Sequence, residues 1–470
     1  MIYDEAWLKN RMKLMNFKPA LIDARDSIPI SYTELLSKTQ QINREWQDLG
    51  VHRGDIVIVA IQDRLGFALA YVTAILNGYK ALPIDPNDQT IYDSDLIQSL
   101  SPKLIIRDQS PSVFSGHTRK LTHQIIEELG VGALFLTSGT TGTPKVVLHS
   151  IQSLIGNAKA FNEKASIEEN VIMYHILPMY YMAGLLNTLI SPLVAGGTVV
   201  IGQQFGPSSI FHFWTNIDKF KVNTTWLSPT IANGIHRTYR KTKNQVFESC
   251  LTNVYCGMAA LSESVRHKFR ETFGINILQS YGTSELMLVS CQARGDHDND
   301  VGTPLNDVNP AVVVDNDGLN ELVVKSPFEF KGYLNEDGFL APARSSSGNV
   351  LTGDLANIIG ERVYITGRKK DLIIRGGVNI SPSKIENILC RINQISEIAV
   401  VGVPHPFWGE EIVAFVVIGS NSDKDLLMRE IEKTTNSLSK HEKPDRFIFV
   451  DSLPRTASGK IRKHMLVIGT

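Results

Sequence analysis

The chain has 470 residues, with 47 basic and 48 acidic side chains and a formal net charge of −1. That balance excludes a bulk electrostatic drive toward nucleic acid or an anionic membrane. The length exceeds what one core sustains, so at least two lobes are expected. The first twenty residues carry charges and no apolar run, so no signal peptide is expected. Cys250, Cys256, Cys291 and Cys390 are scattered, without C-x-x-C spacing, which argues against a disulfide scaffold, zinc or redox chemistry. A reducing, cytoplasmic setting fits.

Ser31-Tyr-Thr-Glu34 reads as a capping box, opening a helix that stops at Gly50. Ile56 to Ile61 reads as a strand, Gly66 to Asn77 as a helix, and Leu82-Pro-Ile-Asp-Pro86 as the start of another strand. Buried strands are expected at 103–107, 133–136, 171–177, 198–201, 224–227 and 253–256. From Asn170 to Ile217 there is no Asp, Glu, Lys or Arg for 48 residues. Its apolar part, Leu185 to Gly202, is broken by Asn187, Pro192 and Gly196-Gly197, so a buried helix and a core strand are expected rather than a membrane span. This alternation predicts a mixed or largely parallel α/β sheet protein.

The rhythm changes after about residue 300. Asp317-Gly318 between two apolar runs predicts a hairpin. The last hundred residues read as a small α+β unit, with helices near 382–392 and 425–438 and strands near 398–403, 413–418 and 447–450. The expected domains are 1–369 and 370–470.

Five segments carry chemistry. Leu136-Thr-Ser-Gly-Thr-Thr-Gly-Thr-Pro-Lys145 follows an apolar strand; its glycines and hydroxyls suit a loop wrapped around phosphate, with a lysine adding charge. It is not the G-x-x-x-x-G-K-[ST] loop. Tyr281-Gly-Thr-Ser-Glu285 offers an aromatic face, hydroxyls and a hard carboxylate, and alone reads as a capped helix start. Thr352-Gly-Asp354 offers a carboxylate for a diol and alone reads as a turn. Gly367-Arg-Lys-Lys-Asp371 with Arg375-Gly-Gly-Val-Asn-Ile380 alone reads as a solvated basic linker. Pro454-Arg-Thr-Ala-Ser-Gly-Lys460 alone reads as a basic tail.

In this order, and with Ile30-Ser-Tyr-Thr-Glu-Leu35 and Leu49-Gly-Val-His-Arg-Gly-Asp55 ahead of them, the segments resemble the adenylate-forming superfamily, most of all its acyl-CoA synthetases. The resemblance implies a large N-terminal domain and a small mobile C-terminal domain. It implies that a carboxylate and ATP give an acyl-adenylate, which a thiol then captures. Thr137, Ser138, Gly139, Thr140, Thr141, Gly142 and Lys145 would hold ATP phosphates, with Thr140 also among the catalytic groups. Gly257, Met258, Ala259, Tyr281 and Gly282 would line the nucleotide, with Tyr281 on adenine. Thr283 and Ser284 would approach the α-phosphate, and Glu285 would bind Mg²⁺. Asp354 and Arg368 would hold the ribose, Lys460 would bridge carboxylate and α-phosphate, and Lys370 would be the hinge. Gly376 and Gly377 would line a pantetheine path to CoA.

Tyr180, Tyr181, Gly257 and Met258 would border the acyl pocket. Tyr181 stands where the family often has His, and Met258-Ala259 stands in a common Ala-Pro position. No acid lies in 179–183 to pair with a substrate ammonium, so a fatty or other apolar acid is expected rather than an amino acid. The expected partners are a small carboxylic acid and CoA, or alternatively a carrier protein; neither nucleic acid nor a membrane is expected, and a homodimer is left open.

Overall fold

The computed structural model describes residues 2–92, 94–108, 111–113, 120–138, 144–240, 247–296, 299–419, 424–456 and 461–467. Among them the strands form four sheets, of nine, eight, four and five strands. In the nine-stranded sheet, parallel strands at Ile172–His175, Thr224–Leu227, Asn253–Cys256 and Ile277–Thr283 lie side by side. An antiparallel strand, Met287–Cys291, extends this sheet. The eight-stranded sheet contains Ile56–Val59, Lys80–Pro83, Ala133–Ser138 and Pro144–His149. One hydrophobic core joins these sheets to the helices between them and to part of the four-stranded sheet, and a second lies on the outer face of the eight-stranded sheet.

Local signals place many elements. The helix Tyr32–Asp48 begins at Ser31, whose side chain accepts from Glu34 N while Glu34 returns the bond to Ser31 N. Gly50 follows with φ +76, the left-handed stop a glycine tolerates. The apolar stretch after Leu185 is a buried helix and strand, as read. Its first part, Ala183–Ile190, is wound as a π-helix, the next part, Ser191–Ala195, is α-helical, and the strand Thr198–Ile201 follows. Gly184 packs against Pro178, where an added Cβ would lie 2.0 Å from the Pro178 carbonyl oxygen. No helix among the described residues is long and apolar enough to cross a membrane.

Three sequence readings change. Leu82-Pro83 closes the strand Lys80–Pro83 instead of opening one. Tyr281-Gly-Thr-Ser-Glu285 is a hairpin, not a helix start: Ile277–Thr283 turns back antiparallel onto Met287–Cys291. The cause is a close approach across the turn, since a Cβ on Gly282 would sit 2.2 Å from Met287 O. Thr352-Gly-Asp354 is no free turn but a bulge inside the strand Val350–Ile359, with Gly353 at φ +70.

The fourth sheet stands apart in sequence. Its strands run from Ile373–Arg375 to Arg446–Phe449, and helices Pro382–Leu389 and Lys424–Thr435 pack on it. Its two apolar cores begin at Ile373, whereas those of the large lobe end at Val363.

Candidate active site

The bulge brings Asp354 under the 277–291 hairpin. Tyr281 OH donates to Asp354 Oδ2 at 2.7 Å, and Arg368 Nε donates to Asp354 Oδ1 at 2.6 Å. Arg368 lies directly across the ladder from Asp354. The carboxylate is 2% exposed. Burial pushes the Tyr281 phenol well up, and the neighbouring carboxylate pushes the same way, so it stays a neutral donor. Burial works against the Arg368 charge, but Asp354 more than offsets it and the guanidinium is raised. Thr352 Oγ1 donates to Leu322 O, and Gly353 N donates to Glu321 Oε1, fixing the bulge from the neighbouring strand.

The other end of the hairpin carries Glu285. Its Oε1 accepts from Tyr333 OH at 2.8 Å. Tyr333 lies on the strand Gly332–Asn335, which pairs with Pro144–His149. Lys145 Nζ sits 5.6 Å from the Tyr333 ring centroid, at the start of that paired strand. Thr137 faces Lys145 across the ladder of Ala133–Ser138 with Pro144–His149, so both ends of the phosphate-loop segment are held by one hairpin. Ser138 ends its strand. Gly139, Thr140, Thr141, Gly142 and Lys460 lie outside the described residues.

His149 ties this hairpin to the other. Its Nε2 lies 2.7 Å from Ser284 O, so the Nε2–H tautomer donates there. Burial pulls its imidazole down to about 4. Thr283 Oγ1 accepts from Leu286 N and closes the turn. Gly257 is hemmed in: a Cβ there would lie 2.9 Å from Ser280 Oγ. Met258 follows at φ +70, in the left-handed region, and Ala259 is exposed. Tyr180 and Tyr181 pack ring to ring at 4.9 Å, and burial first, then Asp85, pushes the Tyr180 phenol up. Arg64 Nη2 braces the chain leading to them, donating to His175 O at 3.1 Å and Leu177 O at 3.0 Å. Burial pulls that guanidinium down to about 10, so it remains charged at neutral pH.

The structure therefore joins Tyr281, Asp354 and Arg368 in one bonded unit. It sets Glu285 beside Tyr333 and Lys145. It does not join Gly376 and Gly377 to that unit by any bond described here. They form the exposed turn of Ile373–Arg375 with Val378–Ile380, at φ +57 and +82, and Gly376 N donates to Trp408 O. Lys370 is exposed in the short 3₁₀ turn Lys369–Asp371, and its neighbour Lys369 pairs with Asp315 at 2.5 Å and with Glu321 at 3.5 Å. Arg368 and Arg375 are paired as well, so the segment is not a free solvated linker.

Sequence reading missed Tyr333, His149 and Arg64. Only His149 left a trace, a polar residue closing the apolar run Val146-Val-Leu148. Glu285 supplies one hard oxygen donor, and among the described residues no three His, Cys, Asp or Glu side chains converge on a metal position. A cavity of about 830 Å³, lined by Phe247, Cys250, Phe273 and Arg294 among others, opens at the opposite ends of these strands and contains none of the site residues.

Residues 103–334 match the family model of the AMP-binding enzyme, and residues 384–460 match that of the AMP-binding enzyme C-terminal domain. The mitochondrial malonate–CoA ligase of Mus musculus is 28% identical over 418 residues, 80% of this chain and 71% of that protein. The sulfoacetate–CoA ligase of Cupriavidus necator is 31% identical over 349 residues, 71% of this chain and 66% of that protein. The crystal structure of ATP-bound MatB from Rhodopseudomonas palustris shares the fold, with a TM-score of 0.81 at 24% identity over 98% of each chain. The chain belongs to the AMP-binding, adenylate-forming enzyme family, and the curated relatives above are CoA ligases.

Proposed function

We propose that the protein is an ATP-dependent carboxylic acid–CoA ligase working through an acyl-adenylate. The observation that carries this is the buried Tyr281–Asp354–Arg368 unit, with Glu285 on the same hairpin. A carboxylate whose two oxygens are oriented by a phenol and a guanidinium is poised to accept from a ribose diol. The first half-reaction joins two anions, so positioning and charge neutralisation supply most of the rate. Lys145 and the 139–142 segment would neutralise the β- and γ-phosphates. Lys460 would bridge the attacking carboxylate and the α-phosphate. Magnesium, held by Glu285 and phosphate oxygens, would add charge neutralisation there. A carboxylate oxygen attacks the α-phosphorus, pyrophosphate leaves, and the thiolate of CoA then displaces AMP from the acyl carbon.

The chain would work as domains 1–369 and 370–470 hinged at Lys370. The acyl group would lie against Tyr180, Tyr181, Gly257 and Met258. The uncharged 179–183 segment favours an apolar acid, fatty or aryl. The relatives named for malonate and sulfoacetate make acids with a second anion the comparison to test. A carrier protein as acceptor is favoured by one feature: Ile374, Val378, Phe407 and Trp408 are exposed apolar side chains on the Gly376-Gly377 hairpin and the turn packed beside it. The test is pyrophosphate release with ATP, Mg²⁺ and fatty, aryl and dicarboxylic acids, each with CoA, with phosphopantetheinylated carrier, or with neither. CoA-dependent turnover with an apolar acid supports the proposal. Turnover only with dicarboxylates overturns the substrate class, and turnover only with carrier overturns the acceptor.

A further inference from the structure

The segment that ends in Lys460 is held at its base. Arg455 and Ile461 form an antiparallel bridge, and Arg462 N donates to Pro454 O at 2.8 Å, so the chain returns on itself around that segment. Beyond it, Lys463 Nζ pairs with Glu386 at 2.7 Å on the helix Pro382–Leu389. The base thus belongs firmly to the small lobe.

The Arg455 side chain reaches across to the large lobe. Its Nη1 donates to Thr230 Oγ1 at 2.8 Å, and its Nη2 pairs with Glu397 Oε2 of the small lobe at 2.9 Å. Thr230 is in the first turn of the helix Pro229–Thr238, capped by Ser228. That helix follows directly from the strand Thr224–Leu227, whose parallel neighbour ends at Cys256 and runs into Gly257 and Met258. One guanidinium therefore ties the base of the Lys460 segment to the end of the sheet that bears the site.

Among the described residues three other polar links cross between the lobes; one, Ser381 Oγ donating to Thr366 O at 2.9 Å, lies close to the boundary itself. Arg237 donates to Ser396 at 2.7 Å in an exposed position, and Arg391 meets Glu263 at 3.2 Å with both side chains more than half exposed. Such surface links are weak. The Arg455 and Glu397 side chains are each only 23% exposed, and a planar guanidinium holding two acceptors at once is geometrically restrictive.

We infer that Arg455 is a positioning residue for the adenylation step: by bridging Thr230 and Glu397 it holds the base of the Lys460 segment, at Arg455 and Ile461, against the large lobe in this arrangement of the lobes. The bond to Thr230 crosses between lobes, so any rotation of the small lobe must break it, while the bond to Glu397 travels with the lobe. On the reading that Lys460 serves adenylation and that the small lobe turns at Lys370, the link acts in adenylation and not in thiol capture. This inference rests on the role proposed for Lys460.

The test separates the two half-reactions. Acid-dependent ATP–pyrophosphate exchange reads adenylation; capture of purified acyl-adenylate by CoA, or by phosphopantetheinylated carrier, reads the second step. Arg455→Ala is expected to lower the kcat of exchange roughly tenfold to a hundredfold, with the KM for ATP little changed and capture not slowed. Thr230→Val, which removes only the hydroxyl on the far side, should lower exchange in the same direction by about tenfold at most, and the double variant should be no worse than Arg455→Ala. If Arg455→Ala fails to fold, Thr230→Val alone carries the test. Equal loss in both half-reactions, or unchanged exchange in Thr230→Val, overturns the inference. Lys460→Ala is run beside them. Full exchange in that variant overturns the reading of the segment itself, whereas an inactive Lys460→Ala with wild-type exchange in Arg455→Ala and Thr230→Val overturns only the positioning role.

Discussion

The hairpin that carries Tyr281 and Glu285 and the hairpin that carries Gly376 and Gly377 both turn on glycine, for opposite reasons. At Gly282 the backbone of Met287 is so close that no side chain fits. At Gly377 there is nothing within 4 Å of an added Cβ, and only the left-handed φ of +82 asks for glycine. The first hairpin is buried in the large lobe and bonded through Tyr281 to Asp354. The second is exposed on the small lobe beside Phe407 and Trp408. One is built to stay, the other has room to move against a new surface. The two half-reactions of the proposed mechanism divide along the same line: adenylation uses the fixed hairpin, and thiol capture would use the free one.

The sharpest way to break that division is Lys460→Ala. We expect exchange to fall by roughly a hundredfold or more, the scale of losing a charge that meets the developing transition state, with ATP binding and the thermal melt unchanged. Capture of preformed adenylate should continue. Equal loss in both steps would erase the division. Gly282→Ala comes next. A Cβ forced against Met287 O should cost about 3 kcal/mol of stability and weaken nucleotide binding as well, read by denaturant titration and ATP affinity. If it melts like the parent, the fixed hairpin is not fixed.

Smaller effects sharpen the contrast. Gly377→Val meets open space, so its cost is the strain of a left-handed β-branched residue, about 1–2 kcal/mol. It should slow capture roughly tenfold while exchange stays within about twofold. Tyr333→Phe keeps the ring beside Lys145 and removes only the bond to Glu285. Loss of a hydrogen bond to a charged group predicts about a tenfold fall in exchange. The half-saturating Mg²⁺ concentration should rise, and an unchanged Mg²⁺ dependence would show that the bond does not orient Glu285.

Local patterns were readable because their partners are close in sequence. The Ser31–Glu34 capping box and the strands 198–201, 224–227 and 253–256 need only neighbours and apolar runs. The motif residues were readable as residue types, but not their arrangement. Tyr281-Gly-Thr-Ser-Glu285 looks like a helix cap until Met287 folds back on Gly282, and Thr352-Gly-Asp354 looks like a loop until Glu321 of the next strand holds its bulge. Tyr333, Arg64 and His149 meet their partners 48, 111 and 135 residues away. No pattern within a window could show those bonds, and they orient Glu285, brace the chain before Tyr180 and join the two site hairpins.

His149 gives an effect that is absent at neutral pH, grows only toward acid and has a clear sign. It is fully buried, its Nε2–H bonds the Ser284 carbonyl, and its folded value is about 4 against an ordinary 6.5. Above 6.5 the ring is neutral both folded and unfolded, and its stabilisation is complete. Between 6.5 and 4 the unfolded chain takes a proton that the folded chain refuses, so stability falls as pH falls. Below 4 both states are protonated and this group adds no further loss. The shift corresponds to at most about 3.5 kcal/mol, at roughly 1.4 kcal/mol per pH unit. His175, also buried and lowered, adds a loss of the same sign. His149→Gln keeps an N–H to offer Ser284 but cannot take up a proton. Its melts at pH 7.5 should resemble the parent, while the decline toward pH 4.5 should be shallower by the share His149 contributes, with His175 providing the remainder. An unchanged acid limb would mean that the bond between the two hairpins opens before the ring is protonated, and that the fixed hairpin is held by Gly282 and Asp354 alone.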